Sequence, residues 1–178
     1  MGEGKRNIYL VGMMGAGKTT VGKKLSRALG WQFVDLDQNI EAMTGVSVAT
    51  IFEIEGEMGF RQRESQALTL LASASRPANL VVATGGGVVL SPMNRVRMIS
   101  SGLVAYLHAS PDLLYSRTKH DRGRPLLQVA DPFGRIKMLV EKRDPLYREV
   151  ADFVVESNIG LNNTVSCIAK EIESRCRA

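Results

Sequence analysis

A glycine-rich segment at residues 12–19, GMMGAGKT, constrains the local fold more than any other feature of the sequence. It fits the pattern G-x-x-x-x-G-K-[ST], in which a loop joins the end of a β-strand to the start of an α-helix. Both neighbours are present, because the apolar run 8–11 precedes the loop and a segment of helical period follows it and stops at Gly30. The sequence therefore predicts a strand, a phosphate-cradling loop and a helix in that order. A turn that merely connects the strand to the helix is the alternative.

Strand-length apolar runs alternate with longer segments of helical period along the rest of the chain. The predicted strands are 8–11, 32–36, 80–83, 103–107 and 153–155. The predicted later helices are 49–54, 57–74, 92–100, 111–118, 133–150 and 165–175. This alternation is typical of βαβ units, so we expect an α/β fold with three αβα layers, formed as one domain over residues 1–178.

Composition excludes several classes of protein. The chain has 178 residues, 44% of them hydrophobic and 23% charged, and no apolar run reaches the roughly 18 residues that a membrane helix needs. Cys167 and Cys176 lie too far apart on one predicted helix for a disulfide, and the two histidines are isolated, so no zinc site is expected. A cytoplasmic protein without a membrane partner is therefore expected. We also expect a monomer, although no feature of the composition determines the oligomeric state.

Charge favours a small anionic substrate. The net charge is +5 and arginine outnumbers lysine, and arginine forks suit phosphates and carboxylates. Nucleic acid is the rival partner. It is not expected, because the basic residues form no long stripe with interleaved aromatics, which make up only 6% of the chain.

Residues of the glycine-rich loop have separate expected tasks. Its backbone N–H groups would face phosphates, Lys18 would place a charge on the outer phosphates, and Thr19 would offer its hydroxyl to Mg²⁺. The predicted nucleotide contacts are Gly12, Gly15, Ala16, Gly17, Lys18, Thr19 and Thr20. Such a loop indicates a nucleotide but leaves the reaction open. A regulatory GTPase is not expected, because no Asn-Lys-x-Asp tetrapeptide occurs in the sequence.

Two aspartates, Asp35 and Asp37, lie at the end of the second predicted strand. Two residues apart on an extended segment, they are expected to project from the same face, beside the glycine-rich loop. One could hold Mg²⁺ or its water, and the other could hold an acceptor hydroxyl. The alternative is that Asp37 caps a helix and Asp35 is solvated.

The predicted helix 57–74 carries a carboxylate on its apolar face. Glu64 falls near the middle of that face and Arg61 at its edge, while Arg63 points elsewhere. Because a buried charge needs a partner, we infer that Glu64 orients Arg61 toward a bound anion. A plain ion pair on the helix surface is the alternative.

Three consecutive glycines, Gly85, Gly86 and Gly87, follow the third predicted strand. Without Cβ atoms they allow a ligand to approach the backbone closely, although a hairpin-like turn would also use them.

The segment 120–132 is polar and basic, and it holds Arg122 and Arg124. Pro125 biases Arg124 toward an extended backbone, and an arginine on a closing loop could neutralise charge as a phosphoryl group transfers. An ordinary surface loop is the alternative.

Taken in order, these motifs resemble those of the shikimate kinases, which belong to the nucleoside-monophosphate-kinase-like group of P-loop proteins. The motifs that carry the resemblance are GMMGAGKT at 12–19, DLD at 35–37, FRQRE at 60–64, GGG at 85–87, GRPLL at 123–127 and RDPLY at 143–147. The resemblance implies a five-stranded parallel sheet in the order 2-3-1-4-5. It also implies a helical substrate-binding insertion at about 38–74 and a lid at about 119–131.

By this resemblance the activity would be MgATP-dependent phosphorylation of the 3-hydroxyl of shikimate, in the biosynthesis of aromatic amino acids through chorismate. Asp37 would hold the ring hydroxyls, Arg61 and Arg143 the carboxylate, and the three glycines the ring. Asp35 would support Mg²⁺ beside Thr19.

The resemblance also assigns the nucleotide side of the site. Lys18 and Arg124 would span the phosphates, and Arg117 would stack on the adenine. Lys18, Asp37 and Arg124 would then be the catalytic residues. A gluconate-type kinase and a nucleotide-binding regulatory module that transfers no phosphate are the alternatives.

Overall fold

Five parallel strands form the centre of the fold. The computed structural model describes residues 7–73, 79–121 and 123–176. The strands are β1 (Asn7–Val11), β2 (Gln32–Asp35), β3 (Leu80–Ala83), β4 (Gly102–His108) and β5 (Phe153–Glu156). They pair in the order β2-β3-β1-β4-β5, and every neighbouring pair is parallel. The predicted fold class and strand order are confirmed, and each predicted strand end lies within one residue of the observed one.

Seven α-helices connect and cover the strands in the described part of the chain. They are α1 (Lys18–Leu29), α2 (Leu36–Thr44), α3 (Val48–Ala72), α4 (Pro92–Ser101), α5 (Pro111–Thr118), α6 (Pro132–Val150) and α7 (Leu161–Cys176). Single turns of 3-10 helix occur at Val88–Leu90 and Pro125–Leu127. Residue 74, the expected end of the 57–74 helix, and Arg122 lie outside the described residues.

The central strands are mostly apolar because helices cover both faces of the sheet. In β1 the side chains of Ile8, Leu10 and Val11 are at most 1% exposed. Strand β5, at the sheet edge, instead alternates buried and exposed residues. Continuous apolar runs at the centre are what a doubly covered parallel sheet produces. The sheet is thus a rigid base whose carboxyl edge carries the loops described below.

Helix α3 breaks at Gly56, whose φ of 72° and ψ of −177° leave the helical region. The sequence had predicted separate helices at 49–54 and 57–74, and the interruption confirms that division. A positive φ of this kind strains other residues, so glycine is suited to the break. The break lets α3 bend around the cleft before its apolar face reaches the core.

None of the described helices is both long and apolar enough to cross a lipid bilayer. Cys167 is exposed and forms no disulfide.

Candidate active site

Two cavities meet at the carboxyl edge of the sheet. The larger is a cleft of about 740 Å³ along the glycine-rich loop. The smaller, of about 100 Å³, lies beside the three glycines. Residues on both walls include Asp37, Gly85, Gly86 and Arg124. A group bound in one cavity therefore faces a group bound in the other across these residues.

The glycine-rich loop lines the cleft with most of its predicted residues. Those on the wall are Gly15, Ala16, Gly17, Lys18, Thr19 and Thr20. Gly12 is placed behind the wall, with a φ of 143° and its Cα packed against the Leu107 carbonyl. It shapes the loop from behind instead of facing the cleft.

Lys18 is held within its own loop. Its Nζ donates hydrogen bonds to the carbonyl oxygens of Gly12, at 2.7 Å, and Met13, at 2.8 Å. Burial lowers the pKa of Lys18 from 10.5 to about 8, although the nearby Asp37 carboxylate opposes that change. An anion in the cleft would favour the charged ammonium, since an opposite charge raises the pKa of a lysine.

Asp35 ends β2 and caps α2. Its Oδ1 accepts hydrogen bonds from the backbone N–H groups of Asp37 and Gln38, and its Oδ2 accepts one from the Thr19 hydroxyl at 2.6 Å. The expectation that Asp35 and Asp37 project from one strand face is therefore wrong, and so is the alternative that Asp37 is the cap. The helix begins at Leu36 because Asp35 satisfies its first N–H groups, which places Asp37 in the first turn. Both aspartates nevertheless line the cleft.

The Thr19 and Asp35 oxygens have the chemistry that Mg²⁺ requires. Magnesium in nucleotide sites commonly takes one or two protein oxygens and completes its shell with phosphates and water. Among the described residues no group of three or more His, Cys, Asp or Glu could enclose a metal ion by itself. A hydroxyl and a carboxylate on the cleft wall fit a metal that arrives with phosphates.

Two carboxylates, one of them on the wall of the smaller cavity, meet at Gly85. Asp37 Oδ1 and Glu64 Oε1 are both buried without a hydrogen-bond partner in the described structure. Burial raises the pKa of each group. The charge of Asp35 raises the pKa of Asp37 further, and the charge of Asp37 raises that of Glu64. A Cβ on Gly85 would collide with Glu64 Oε1 and would lie 3.2 Å from Asp37 Oδ1. Glycine therefore lets the strand end approach both acids.

Arg61 is oriented by acids on its own helix. Its Nη1 donates to Glu64 Oε2 at 2.9 Å and its Nη2 donates to Glu57 at 3.1 Å. Glu64 is fully buried, so the pair is not an ordinary surface ion pair. Arg63 points away, as the helical spacing predicts, and pairs with Glu55 on the other side of the Gly56 break.

Unsatisfied guanidinium groups face the smaller cavity. Arg61 Nε and the Nε and Nη1 atoms of Arg143 are buried with no hydrogen-bond partner in the parts of the chain that are described. Arg143 is only 2% exposed. Buried donors are rarely left without acceptors, so this cavity is built for an anion with hydrogen-bonding groups.

Sequence reasoning missed part of the wall of the smaller cavity. Val48, Phe52, Pro125 and Leu126 line it together with Phe60, and the rings of Phe52 and Phe60 lie 4.8 Å apart. Phe52 and Phe60 lie on opposite sides of the Gly56 break, so no regular helical period connects them. Only the folded arrangement shows that they share one face.

The two remaining predicted arginines lie at the margins of the cleft. Arg117 donates from Nη1 to the Gly15 carbonyl at 3.1 Å and from Nη2 to the Ser157 carbonyl at 3.0 Å. Arg124 lies on both cavity walls, and its Nε donates to Asp121 Oδ2 at 2.7 Å. Arg117 thus ties the glycine-rich loop to the segment after β5, whereas Arg124 lies between the two cavities.

Similarity to known proteins agrees with this geometry. Residues 14–175 match the family model described as shikimate kinase. The shikimate kinase of Dechloromonas aromatica is 56% identical over 156 residues, which are 88% of this chain and 84% of that protein. The shikimate kinase of Burkholderia lata is 50% identical over 168 residues, which are 94% and 90% of the two chains.

Solved structures give the same result. The shikimate kinase of Acinetobacter baumannii in complex with shikimate superposes with a TM-score of 0.91 at 47% identity, covering 97% of this chain and 96% of that one. A gluconokinase from Sinorhizobium meliloti has a TM-score of 0.55 at 16% identity, with 96% and 97% of the chains covered, and so shares the fold alone. With a family model that spans most of the sequence and relatives at half identity or more, the chain belongs to the shikimate kinase family.

Proposed function

We propose that this protein transfers the terminal phosphoryl group of ATP to the 3-hydroxyl of shikimate, with Mg²⁺ bound beside Thr19 and Asp35. The observation that carries the proposal is the meeting of a phosphate-cradling cleft with a small cavity that holds unpartnered guanidinium and carboxylate groups. Membership of the family makes the protein an ATP-using kinase. The choice of the 3-hydroxyl follows from the family resemblance, whereas the metal and the residue roles are inferred from the resemblance and the site together.

The acceptor is proposed to bind in the smaller cavity. Arg61 and Arg143 offer unpartnered N–H groups to its carboxylate, and Asp37 offers an unpartnered oxygen to a ring hydroxyl. Val48, Phe52 and Phe60 provide an apolar wall against one face of the ring. A compact cyclic acid that carries hydroxyls would contact the guanidinium N–H groups, the carboxylate oxygen and the apolar wall together.

The donor is proposed to bind along the glycine-rich loop in the cleft. Lys18 exchanges its loop carbonyls for phosphate oxygens, and Arg117 lies at the far margin, where the base would be placed. Bound Mg²⁺ would neutralise charge on the phosphates. Thr19 and Asp35 would hold it, because their oxygens already lie together on the cleft wall.

During transfer the acceptor oxygen forms a bond to the terminal phosphorus, and the bond from that phosphorus to the oxygen of ADP breaks. Asp37 accepts a hydrogen bond from the attacking hydroxyl and aligns it, and the proton that this hydroxyl loses passes through Asp37 to solvent. Lys18 and Arg124 stabilise negative charge on the phosphoryl oxygens. Phosphoryl transfer usually passes through a loose transition state, so positioning and charge stabilisation provide most of the catalysis.

A coupled assay of ADP release tests the proposal and both alternatives. With MgATP we expect turnover with shikimate, and none with gluconate. A regulatory nucleotide-binding module would release ADP at the same slow rate with or without an acceptor. ADP formation that does not depend on shikimate would contradict the assignment, and activity that survives complete metal chelation would contradict the proposed role of Mg²⁺.

We further propose that the protein works as a monomer in the cytoplasm. Every group assigned to the site comes from one chain, so no second copy is needed to complete it.

Arg61→Lys is expected to raise the KM for shikimate about tenfold or more and to leave the KM for ATP nearly unchanged. A lysine keeps the charge but cannot reproduce the two-pronged contact of a guanidinium with a carboxylate. Initial rates over a grid of both substrate concentrations measure the two constants. Arg63→Lys is the matched control, because Arg63 lies on the same helix but pairs with Glu55 outside the site. An equal rise in both constants would indicate a distorted fold instead.

ATP binding is expected to take up protons above about pH 8. The pKa of Lys18 is about 8 without ligand, and the phosphates should raise it by stabilising the ammonium. Affinity for ATP should therefore be full below pH 8 and should fall as the pH rises through that value. Calorimetric titrations at pH 7 and pH 9, each in two buffers of different ionisation enthalpy, measure the proton uptake. The exposed Lys23→Ala variant should keep this behaviour, and equal uptake at both pH values would refute the explanation.

A further inference from the structure

Tyr147 is the last residue of the RDPLY motif and has no role in the proposed function so far. It lies on α6, one helical turn after Arg143, and it is fully buried at 0% exposure. It is one of the largest side chains in the core with no contact with solvent. A buried phenol must place its hydroxyl against polar partners, and those partners are informative here.

The Tyr147 hydroxyl connects two parts of the acceptor cavity. It donates a hydrogen bond to the carbonyl oxygen of Gly86, in the triple glycine. The Arg143 guanidinium lies beside both groups, because its charge acts on the phenol and its Nη1 would lie 3.6 Å from a Cβ on Gly86. A hydroxyl that donates its proton keeps lone pairs on its oxygen, so the phenol can attract the neighbouring guanidinium while it holds the Gly86 carbonyl.

This connection constrains groups that face the acceptor. A planar trans peptide points its carbonyl and its N–H in opposite directions, so fixing the Gly86 carbonyl also fixes the N–H of Gly87. Both glycines line the smaller cavity. The Nε and Nη1 atoms of Arg143 meanwhile stay without a partner among the described residues. Tyr147 therefore fixes the backbone beside the guanidinium and leaves these N–H groups of Arg143 for a ligand.

We propose that Tyr147 is a positioning residue for the acceptor, which sets the place of Arg143 relative to the triple glycine and so determines affinity for the acceptor carboxylate. The inference rests on the proposed function, since it takes the acceptor to be shikimate. Tyr147 does not line either cavity and acts through Arg143 and Gly86.

Tyr106 provides a matched control inside the same packing. Its ring lies 5.0 Å from that of Tyr147, and it is only 2% exposed. Its hydroxyl donates to Asp144 at 2.7 Å, on the side away from the acceptor cavity. Removing either hydroxyl thus deletes one hydrogen bond from the same stacked pair, but only one of the two bonds reaches the site.

The experiment compares Tyr147→Phe with Tyr106→Phe in the full chain. For Tyr147→Phe we expect the KM for shikimate to rise about tenfold, because the Gly86 carbonyl loses its hydrogen-bond partner and Arg143 loses a polar neighbour. The KM for ATP should change less than about twofold. Tyr106→Phe should leave both constants within about twofold of the unsubstituted protein, even where its melting temperature falls by a similar amount.

A second measurement tests whether the effect passes through the carboxylate. Shikimate methyl ester keeps the ring hydroxyls and lacks the negative charge. The ratio of its KM to that of shikimate should be smaller in Tyr147→Phe than in the unsubstituted protein, since Arg143 is then less well placed to favour the anion. An unchanged ratio would overturn the proposal.

A measurement of binding without turnover distinguishes a loss of affinity for shikimate from a loss of stability. Calorimetric titration of shikimate at about 10 °C, near the usual temperature of maximum stability, measures affinity while a weakened variant stays folded. Unchanged affinity in Tyr147→Phe, or equal losses in both tyrosine variants, would overturn the inference. An unsubstituted protein that does not phosphorylate shikimate would instead refute the proposed function itself.

Discussion

Replacing Arg124 by alanine is expected to lower turnover about 10³-fold at saturating ATP and shikimate, with a much smaller change in ATP affinity. Among the described residues, Arg124 is the cation that lies on the walls of both cavities, and it precedes the Pro125–Leu127 turn. A charge at that place acts on the phosphoryl group as it passes from one cavity to the other. Its partner in the ligand-free protein, Asp121, holds it through a partly exposed ion pair, which is a weak contact that a phosphate can replace.

Steady-state turnover and nucleotide titration separate these two effects. Arg175→Ala is the matched control, because Arg175 also pairs through Nε with a nearby carboxylate, that of Glu171, but lies on α7 away from both cavities. Hydrogen exchange along residues 119–131, with and without ATP and shikimate, tests whether this lid becomes protected on binding. Equal turnover in the two variants, or equal protection in both states, would refute a catalytic Arg124 on a closing lid.

The sheet could be predicted closely from sequence because its signals are local. Central strands such as β1 and β3 are buried on both faces and therefore appear as short uninterrupted apolar runs. Their order in space carries no such signal. It was expected from the family resemblance of the ordered motifs, and the structure confirms it.

Helix α2 shows where local reasoning failed. The apolar Leu36 extended the predicted second strand by one residue, and the helical insertion expected at about 38–74 gave no bounds for the helix Leu36–Thr44. The side chain of Asp35 decides the point of transition by accepting two backbone N–H groups. Aspartate favours both turns and helix caps, so sequence alone does not determine which of the two acids ends the strand.

The site divides in the same way into local and tertiary features. The contact between Arg61 and Glu64 follows from helical spacing and was predicted. The shared wall of Phe52 and Phe60, and the bond between Tyr147 and Gly86, join segments that are distant or separated by a break. In the sequence, aromatic residues at such positions cannot be distinguished from ordinary core residues, because their contacts with the site form only in the folded chain.

Asp37→Asn is expected to fold normally and to lower turnover by about 10³-fold, within the range seen for general acid–base residues. The amide keeps the shape of the carboxylate and loses the charge that organises the acceptor hydroxyl. Asp37 Oδ1 is buried and unpartnered in the described structure, which leaves it free for that hydroxyl. Because burial and the neighbouring Asp35 raise the pKa of Asp37, activity of the unsubstituted protein should decline with falling pH before an ordinary aspartate would protonate.

Asp112→Asn is the control that isolates catalysis from helix stability. Asp112 occupies the first turn of α5 as Asp37 occupies that of α2, so both substitutions remove a favourable charge near a helix N-terminus. Asp112 is exposed and lies on neither cavity wall. We expect similar small changes in melting temperature for the two variants and loss of turnover for Asp37→Asn alone. If Asp37→Asn were to lower only the melting temperature and leave turnover intact, Asp37 would be a structural residue of α2, and the acceptor hydroxyl would have to be organised by another group.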